Sequence, residues 1–273
     1  VCQLEAWVST VAEDEQEGPL SALAKGLLVM EALVEAGRPL PLSAVVARTE
    51  LPKATAHRAV RVLVQRGWAQ QTDHGYWLGN RLLQAASAFE GSLDLRRETR
   101  PALEMLRDEF DETVHLATLD QDYRVIYLEK LVPASQVVGL VRGSGVGYTA
   151  PAYCTGVGKA MLAFLSPEEL DKFFAMTQLV ALTPHTLHTR ADLEASLRRA
   201  RRKGYATDNE EHEPGVACIG APILGRRGEV VAAISVAGPV SRMKQHLRDS
   251  KSGGRLCEVA STMSGLLGHG KGA

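Results

Sequence analysis

The chain has few cysteines. Cys2, Cys154, Cys218 and Cys257 are the only four, and no two of them stand in a C-x-x-C spacing. A zinc ribbon and a dense disulfide framework are therefore not expected. No apolar run approaches the ~20 residues that a membrane helix needs. The first twenty residues are acidic and lack an apolar core, so they do not resemble a signal peptide. A cytoplasmic protein with reduced thiols and no membrane partner is the expectation. An excess of charge of either sign is also lacking: 31 Lys and Arg stand against 32 Asp and Glu, a net charge of −1 over 273 residues. That balance argues against indiscriminate coating of nucleic acid. There is no internal repeat and no low-complexity block.

What is present describes a globular protein: 45% hydrophobic and 23% charged residues, in a chain long enough for two domains. The charge is unevenly spread. Residues 1–20 carry Glu5, Glu13, Asp14, Glu15 and Glu17 and no Lys or Arg, and read as a disordered acidic tail. Residues 21–81 carry eight basic residues against four acidic ones, the local excess that a small DNA-reading module leaves.

Within that stretch, Leu51–Gly67 contains no acidic residue. Pro52 suits a first helical position, where no N–H is required, and Gly67 suits the stop. Ala56, Val60 and Leu63 form an apolar stripe, and Lys53, Thr55, His57, Arg58 and Arg61 lie off it. A helix with this basic outer face fits a major groove. A helix before it is expected from the N-cap Ser21 to Gly37, with Leu23, Leu27, Met30 and Val34 inward. A short second one is expected over Leu42–Thr49, with Leu42, Val45 and Val46 inward. Residues 68–78, split by Asp73-His74-Gly75, read as a β-hairpin. Three helices and a hairpin in this order predict a winged helix-turn-helix. Lys53 and Thr55 are candidates for phosphate contact, Arg58 for bidentate reading of guanine, and His57 and Arg61 for weaker base and backbone contacts. For Arg61 a surface salt bridge is an equal alternative. His74 reads as a turn residue at the wing tip. One module makes few contacts, so a twofold dimer on a pseudopalindromic site, with half-sites ~34 Å or a multiple of that apart, is expected.

Beyond residue 80 a helix is expected over Arg81–Leu95 and another from Thr99 to Glu112. Short strands follow, at Val114–Leu119, Val125–Leu131, Val137–Val141, Ala217–Leu224 and Val230–Val236. Helices are expected at Gly156–Leu165, Pro167–Met176, Arg190–Gly204 and Leu256–Leu266. This pattern is an α+β domain with a mainly antiparallel sheet and helices segregated to one side. The predicted organisation is a tail at 1–20, a DNA-binding domain at 21–80, a linker helix at 81–98 and an effector-binding domain at 99–273.

Several stretches, in order, resemble the IclR family of bacterial transcription regulators. They are Leu51-Pro52-Lys53-Ala54-Thr55-Ala56-His57-Arg58; Thr155-Gly156-Val157-Gly158-Lys159-Ala160-Met161-Leu162-Ala163; Gly204-Tyr205-Ala206-Thr207-Asp208-Asn209-Glu210-Glu211; Cys218-Ile219-Gly220-Ala221-Pro222-Ile223; and Ala232-Ala233-Ile234-Ser235-Val236-Ala237-Gly238-Pro239. The resemblance runs from about Ser21 to Gly265. It implies a winged helix joined by a helix to a GAF-like domain that binds a small effector, in dimers that often pair into tetramers on operator DNA. It further implies that Gly156, Val157, Asp208, Cys218, Ser235 and Ala237 face one effector cavity. The chain departs from the family at two places. Glu50 stands where a turn glycine is common. Tyr153 stands where many members have His, which suggests an aromatic contribution to the pocket, along with Leu140.

Taken on their own chemistry, Gly156 and Gly158 at a helix start would let an anion approach free N–H groups, so a carboxylate or aromatic acid is the expected effector. Asp208 can accept from a ligand hydroxyl and Ser235 can donate. The missing Lys-Ser/Thr pairing excludes a P-loop, and no helix follows Gly143–Gly147 to make a dinucleotide fingerprint. No cofactor is expected. Two other readings remain: a cysteine-dependent hydrolase using Cys154 with His185, His188 or His212 as base, and a metal sensor using Asp208, Glu211, His212 and Cys218.

Overall fold

The computed structural model describes residues 20–85, 94–135 and 144–270, and the chain divides into two compact units, residues 1–92 and 93–273.

The first unit opens with helix α1 (Ala22–Ala36), capped by Ser21, whose Oγ accepts from the Ala24 N–H at 3.1 Å. Its buried face is Val29, Ala32 and Leu33, not the predicted one. Leu23, Leu27 and Val34 are 74, 53 and 55% exposed. The segment is apolar nearly all the way round, so periodicity alone offers two stripes and cannot choose between them. Helix α2 (Leu42–Thr49) buries Val45 and half-buries Leu42 and Val46. Glu50 ends it at φ 54°, in the left-handed region, with its N–H on Val46 O. Helix α3 (Lys53–Gln65) starts one residue after Pro52, which occupies the N-cap, and buries Ala56 and Val60 with Leu63 half-buried. Strands β1 (Ala69–Thr72) and β2 (Gly75–Leu78) form the expected hairpin. Leu40 bridges Tyr76 through reciprocal hydrogen bonds of 2.9 and 2.7 Å. Gly75, at φ 122°, is required there, because a Cβ would lie 2.2 Å from Leu40 O. Val29, Leu33, Leu40, Val45, Leu51, Ala56, Val60 and Ala69 make one small core.

The helix expected over 81–95 is seen at residues 80–85, and residues 86–93 lie outside the described residues. The second unit begins with α4 (Asp94–Phe110), which runs through the expected break near residue 98 and contains Pro101. A six-stranded antiparallel sheet follows, in the order β5-β4-β3-β8-β7-β6. Its members are β3 (Thr113–Leu119), β4 (Arg124–Leu131), β5 (Thr149–Pro151), β6 (Ala206–Asn209), β7 (Val216–Leu224) and β8 (Val230–Pro239). The predicted strand at 137–141, and Leu140 with it, lie outside the described residues.

Helices cover both faces of this sheet, contrary to the expectation of one. On one face lie α5 (Gly156–Leu162), α6 (Pro167–Met176) and α7 (Arg190–Lys203), over Ala117, Val125, Ala206 and Ala233. On the other lie α4, α8 (Val240–Arg248) and α9 (Ser250–Leu266), over Val114, Leu116, Ile219, Ile234 and Val236. β7 is buried without a break from Ala217 to Ile223 and β8 from Ala232 to Gly238, the mark of strands enclosed on both sides.

Candidate DNA-reading helix and effector cavity

On α3, Lys53, His57, Arg58 and Arg61 are exposed. His57, Arg58 and Arg61 line one shallow concave surface with Ala54, Val62 and Gln65. Thr55 is half-buried and does not line it. Among the described residues, none of the cations Lys53, Arg58, Arg61 and Arg66 makes an ion pair, so the salt bridge considered for Arg61 is not formed. Four positive charges thus stand on one helix without local neutralisation. At the wing tip, His74 is exposed and its backbone N–H donates to Thr72 Oγ1 at 3.3 Å.

In the second unit the sheet brings distant residues to one face. His115 on β3 stands opposite Ser235 on β8; Ser235 stands opposite Gly220 on β7; Cys218 on β7 stands between Ala237 and Asp208 on its two neighbours. Helix α5 sits on this row at very short range. A Cβ on Gly156 would lie 2.4 Å from Cys218 Sγ, and one on Gly220 would lie 2.5 Å from the Gly156 carbonyl carbon. The two glycines serve this close approach of helix start to strand. Thr155 caps the helix, its Oγ1 accepting from the Gly158 N–H at 3.2 Å.

Between α5 and the sheet is a cavity of about 20 Å³. All six residues expected to face an effector, Gly156, Val157, Asp208, Cys218, Ser235 and Ala237, line it. So do His115, Tyr127, Thr155, His212, Glu213 and Val216. His115 is the member that sequence reasoning missed most plainly. The available signal was a histidine between Val114 and Leu116, hence alternating to the opposite face of an apolar strand.

Burial drives the titratable lining toward its uncharged forms. The Asp208 carboxyl is raised to about 7 by burial, against the pull of Lys159 and of the Glu211 N–H that it accepts at 2.8 Å. Burial pushes the Cys218 thiol up to about 12, with Asp208 adding to it. Burial likewise lowers His115 to about 3, with Lys130 contributing. It lowers His212 and raises Tyr127 in the same sense. Just outside the lining, the buried Lys159 ammonium pairs with both oxygens of Glu211.

The alternatives find no such assembly. The Cys154 thiol is buried, rests on Pro151 O at 3.8 Å, and is pushed far up by burial and by Asp208 and Glu211, the reverse of an activated nucleophile. His188 is held by Thr186 O instead. Glu211 is committed to Lys159, and among the described residues no three His, Cys, Asp or Glu side chains gather to hold a metal ion. Tyr153 does not line the cavity; its hydroxyl donates to Val180 O at 2.9 Å and accepts from Val180 N–H at 3.2 Å.

A winged helix-turn-helix with an unpaired cationic helix, and a separate α+β unit holding a small polar-lined cavity, are the two parts of a sensory transcription regulator. The comparisons agree. Residues 22–73 match the IclR helix-turn-helix domain, and residues 88–264 match the bacterial transcriptional regulator IclR C-terminal domain. The transcriptional repressor IclR of Escherichia coli K12 is 34% identical over 85% of this chain and 85% of its own length. The Pca regulon regulatory protein of Pseudomonas putida is 30% identical over 82% of this chain and 76% of its own. The crystal structure of an IclR homolog from Microbacterium hydrocarbonoxydans, complexed with 4-hydroxybenzoate, superposes with a TM-score of 0.77 at 27% identity, covering 90% of this chain and 99% of that one. The chain belongs to the IclR family of bacterial transcriptional regulators: a DNA-binding regulator with an effector-binding domain, and not an enzyme.

Proposed function

We propose that the protein is a cytoplasmic regulator of a metabolic operon, binding a pseudopalindromic operator through paired winged helices and a small organic acid in the C-terminal unit. The observation that carries the second half is the convergence of Gly156, Val157, Asp208, Cys218, Ser235 and Ala237 on one cavity. In that lining the Ser235 hydroxyl gives a carboxylate a hydrogen bond, whereas the Thr155 hydroxyl donates to Pro151 O at 3.2 Å and the Lys159 charge is paired with Glu211. The relative's 4-hydroxybenzoate supports an acid with a small aromatic body. His212 and Glu213 contribute to the lining from a segment outside the sheet pairing.

In the first unit, Lys53 and Thr55 take phosphates, Arg58 reads guanine, and His57 and Arg61 assist. The exposed stripe Leu23, Leu27 and Val34 on α1 supports pairing of two copies. Those dimers can in turn pair as tetramers on DNA. In this reading residues 21–80 bind DNA, 81–98 link, and 99–273 sense the effector. A thermal-shift screen of small carboxylic and aromatic acids, 4-hydroxybenzoate included, tests the sensing half. A ligand at a hundred times its Kd adds ~2.7 kcal/mol. The rise should be absent in Ala237→Leu, which fills the cavity. A rise that survives Ala237→Leu places the acid elsewhere.

A further inference from the structure

His115 is 2% exposed and sits on β3 beneath the cavity, with both ring nitrogens engaged. Nε2 lies 3.0 Å from the hydroxyl of Ser144, which is buried with it, and Nδ1 lies 3.5 Å from the Ser235 hydroxyl. The strand register dictates the second contact, since His115 and Ser235 are direct partners across β3 and β8. Tyr127 packs on the ring at 5.0 Å between centroids and holds its plane. A neutral imidazole has one N–H and one lone pair, so whichever nitrogen carries the proton fixes the sense of both hydrogen bonds.

We propose that the tautomer of His115 sets the polarity that Ser235 presents to the effector, making His115 a positioning residue for ligand choice. With the proton on Nδ1, Ser235 Oγ accepts from the ring, and its own O–H turns from its other neighbour, Cys218 Sγ, to an acceptor in the cavity. With the proton on Nε2, the Ser235 O–H turns to Nδ1 and only lone pairs face the cavity, which then favours a donor. Resting on the reading that an acid binds here, the assignment is Nδ1–H, with Ser144 donating to Nε2. A relay then runs from Ser144 through His115 and Ser235 to a carboxylate oxygen.

Two measurements test this. Long-range proton–nitrogen NMR on the ligand-free protein, with the His115 signals identified by their loss in His115→Asn, reads the tautomer directly. Nδ1–H is expected, and Nε2–H overturns the assignment whether or not any acid binds. Titration calorimetry with 4-hydroxybenzoate then compares His115→Asn, which keeps an amide near the place of Nδ1, with His115→Gln, which keeps one near Nε2. Asn should hold affinity near wild type, while Gln loses about tenfold, the worth of one net hydrogen bond. Equal losses in the two variants mean that the ring only fills space, and overturn the proposal. If neither 4-hydroxybenzoate nor any other small acid binds the wild type, the acid reading fails by itself, and the NMR result alone decides the role of His115.

Discussion

The Lys159 ammonium, buried on α5, is clasped by the Glu211 carboxylate just past the end of β6. It thereby ties the helix that forms one edge of the cavity to the loop that forms the other. The backbone oxygen of Glu211 also accepts from the Thr186 hydroxyl at 2.6 Å, so the same residue anchors the segment around Thr183 and Thr186. Removing one partner leaves a buried charge without its countercharge. Lys159→Met should therefore cost about 3–5 kcal/mol, and Lys159→Met/Glu211→Leu should recover most of it. The three tryptophans all lie within residues 1–92, so the unfolding of the second unit, which holds Lys159 and Glu211, has to be followed by circular dichroism.

On the DNA side, Arg58 and Lys53 should fail in different ways. Arg58→Ala should lose about 1–3 kcal/mol of discrimination for operator over unrelated DNA. Lys53→Ala should weaken both alike and reduce the slope of log affinity against log salt by about 0.9. Anisotropy titrations at several salt concentrations separate the two.

Asp208 and His115 have opposing pH effects. Asp208 binds its proton in the folded state up to about 7, against 3.8 for its ordinary value, so its contribution to stability falls as pH rises through that window. His115 stays neutral down to about 3, against 6.5, so its contribution is lost as pH falls from 6.5 toward 3. Between about pH 4 and 6.5 the two slopes cancel. Asp208→Asn should unmask the rising slope and gain roughly 4 kcal/mol at pH 8, and His115→Asn should unmask the falling one. Denaturant midpoints across pH 4–8, followed by circular dichroism, would display both.

Glu50 takes a left-handed φ of 54° to close the turn between α2 and α3. Glycine relieves a cost of ~1–2 kcal/mol there but adds freedom to the unfolded chain. Glu50→Gly should therefore raise the stability of the first unit by up to about 1 kcal/mol. Trp68 and Trp77 emission reports that transition.

Much of this was legible in the sequence. The helix-turn-helix was readable because its caps, its proline and its basic face coincide in one short stretch. The cavity lining was legible only through resemblance, since Gly156, Asp208, Cys218 and Ser235 are joined by strand pairing that no local pattern encodes. The buried stripe of α1 was misread because apolar residues surround the helix. Helices on both faces were missed although Val216–Leu224 is apolar throughout, which a strand with one wet face would not be. His115 escaped notice because a single histidine carries no periodicity.

The central claim is that occupancy of the Asp208–Ser235 cavity governs DNA binding by α3. Its direct test is anisotropy of a labelled duplex from the region upstream of this protein's own gene, titrated with protein in the presence and absence of the acid that raises its melting temperature. A change in operator affinity of about 5–150-fold in the wild type, absent in an Ala237→Leu protein that still binds the duplex, is the predicted result. An affinity indifferent to the acid, or the same response in Ala237→Leu, would contradict it.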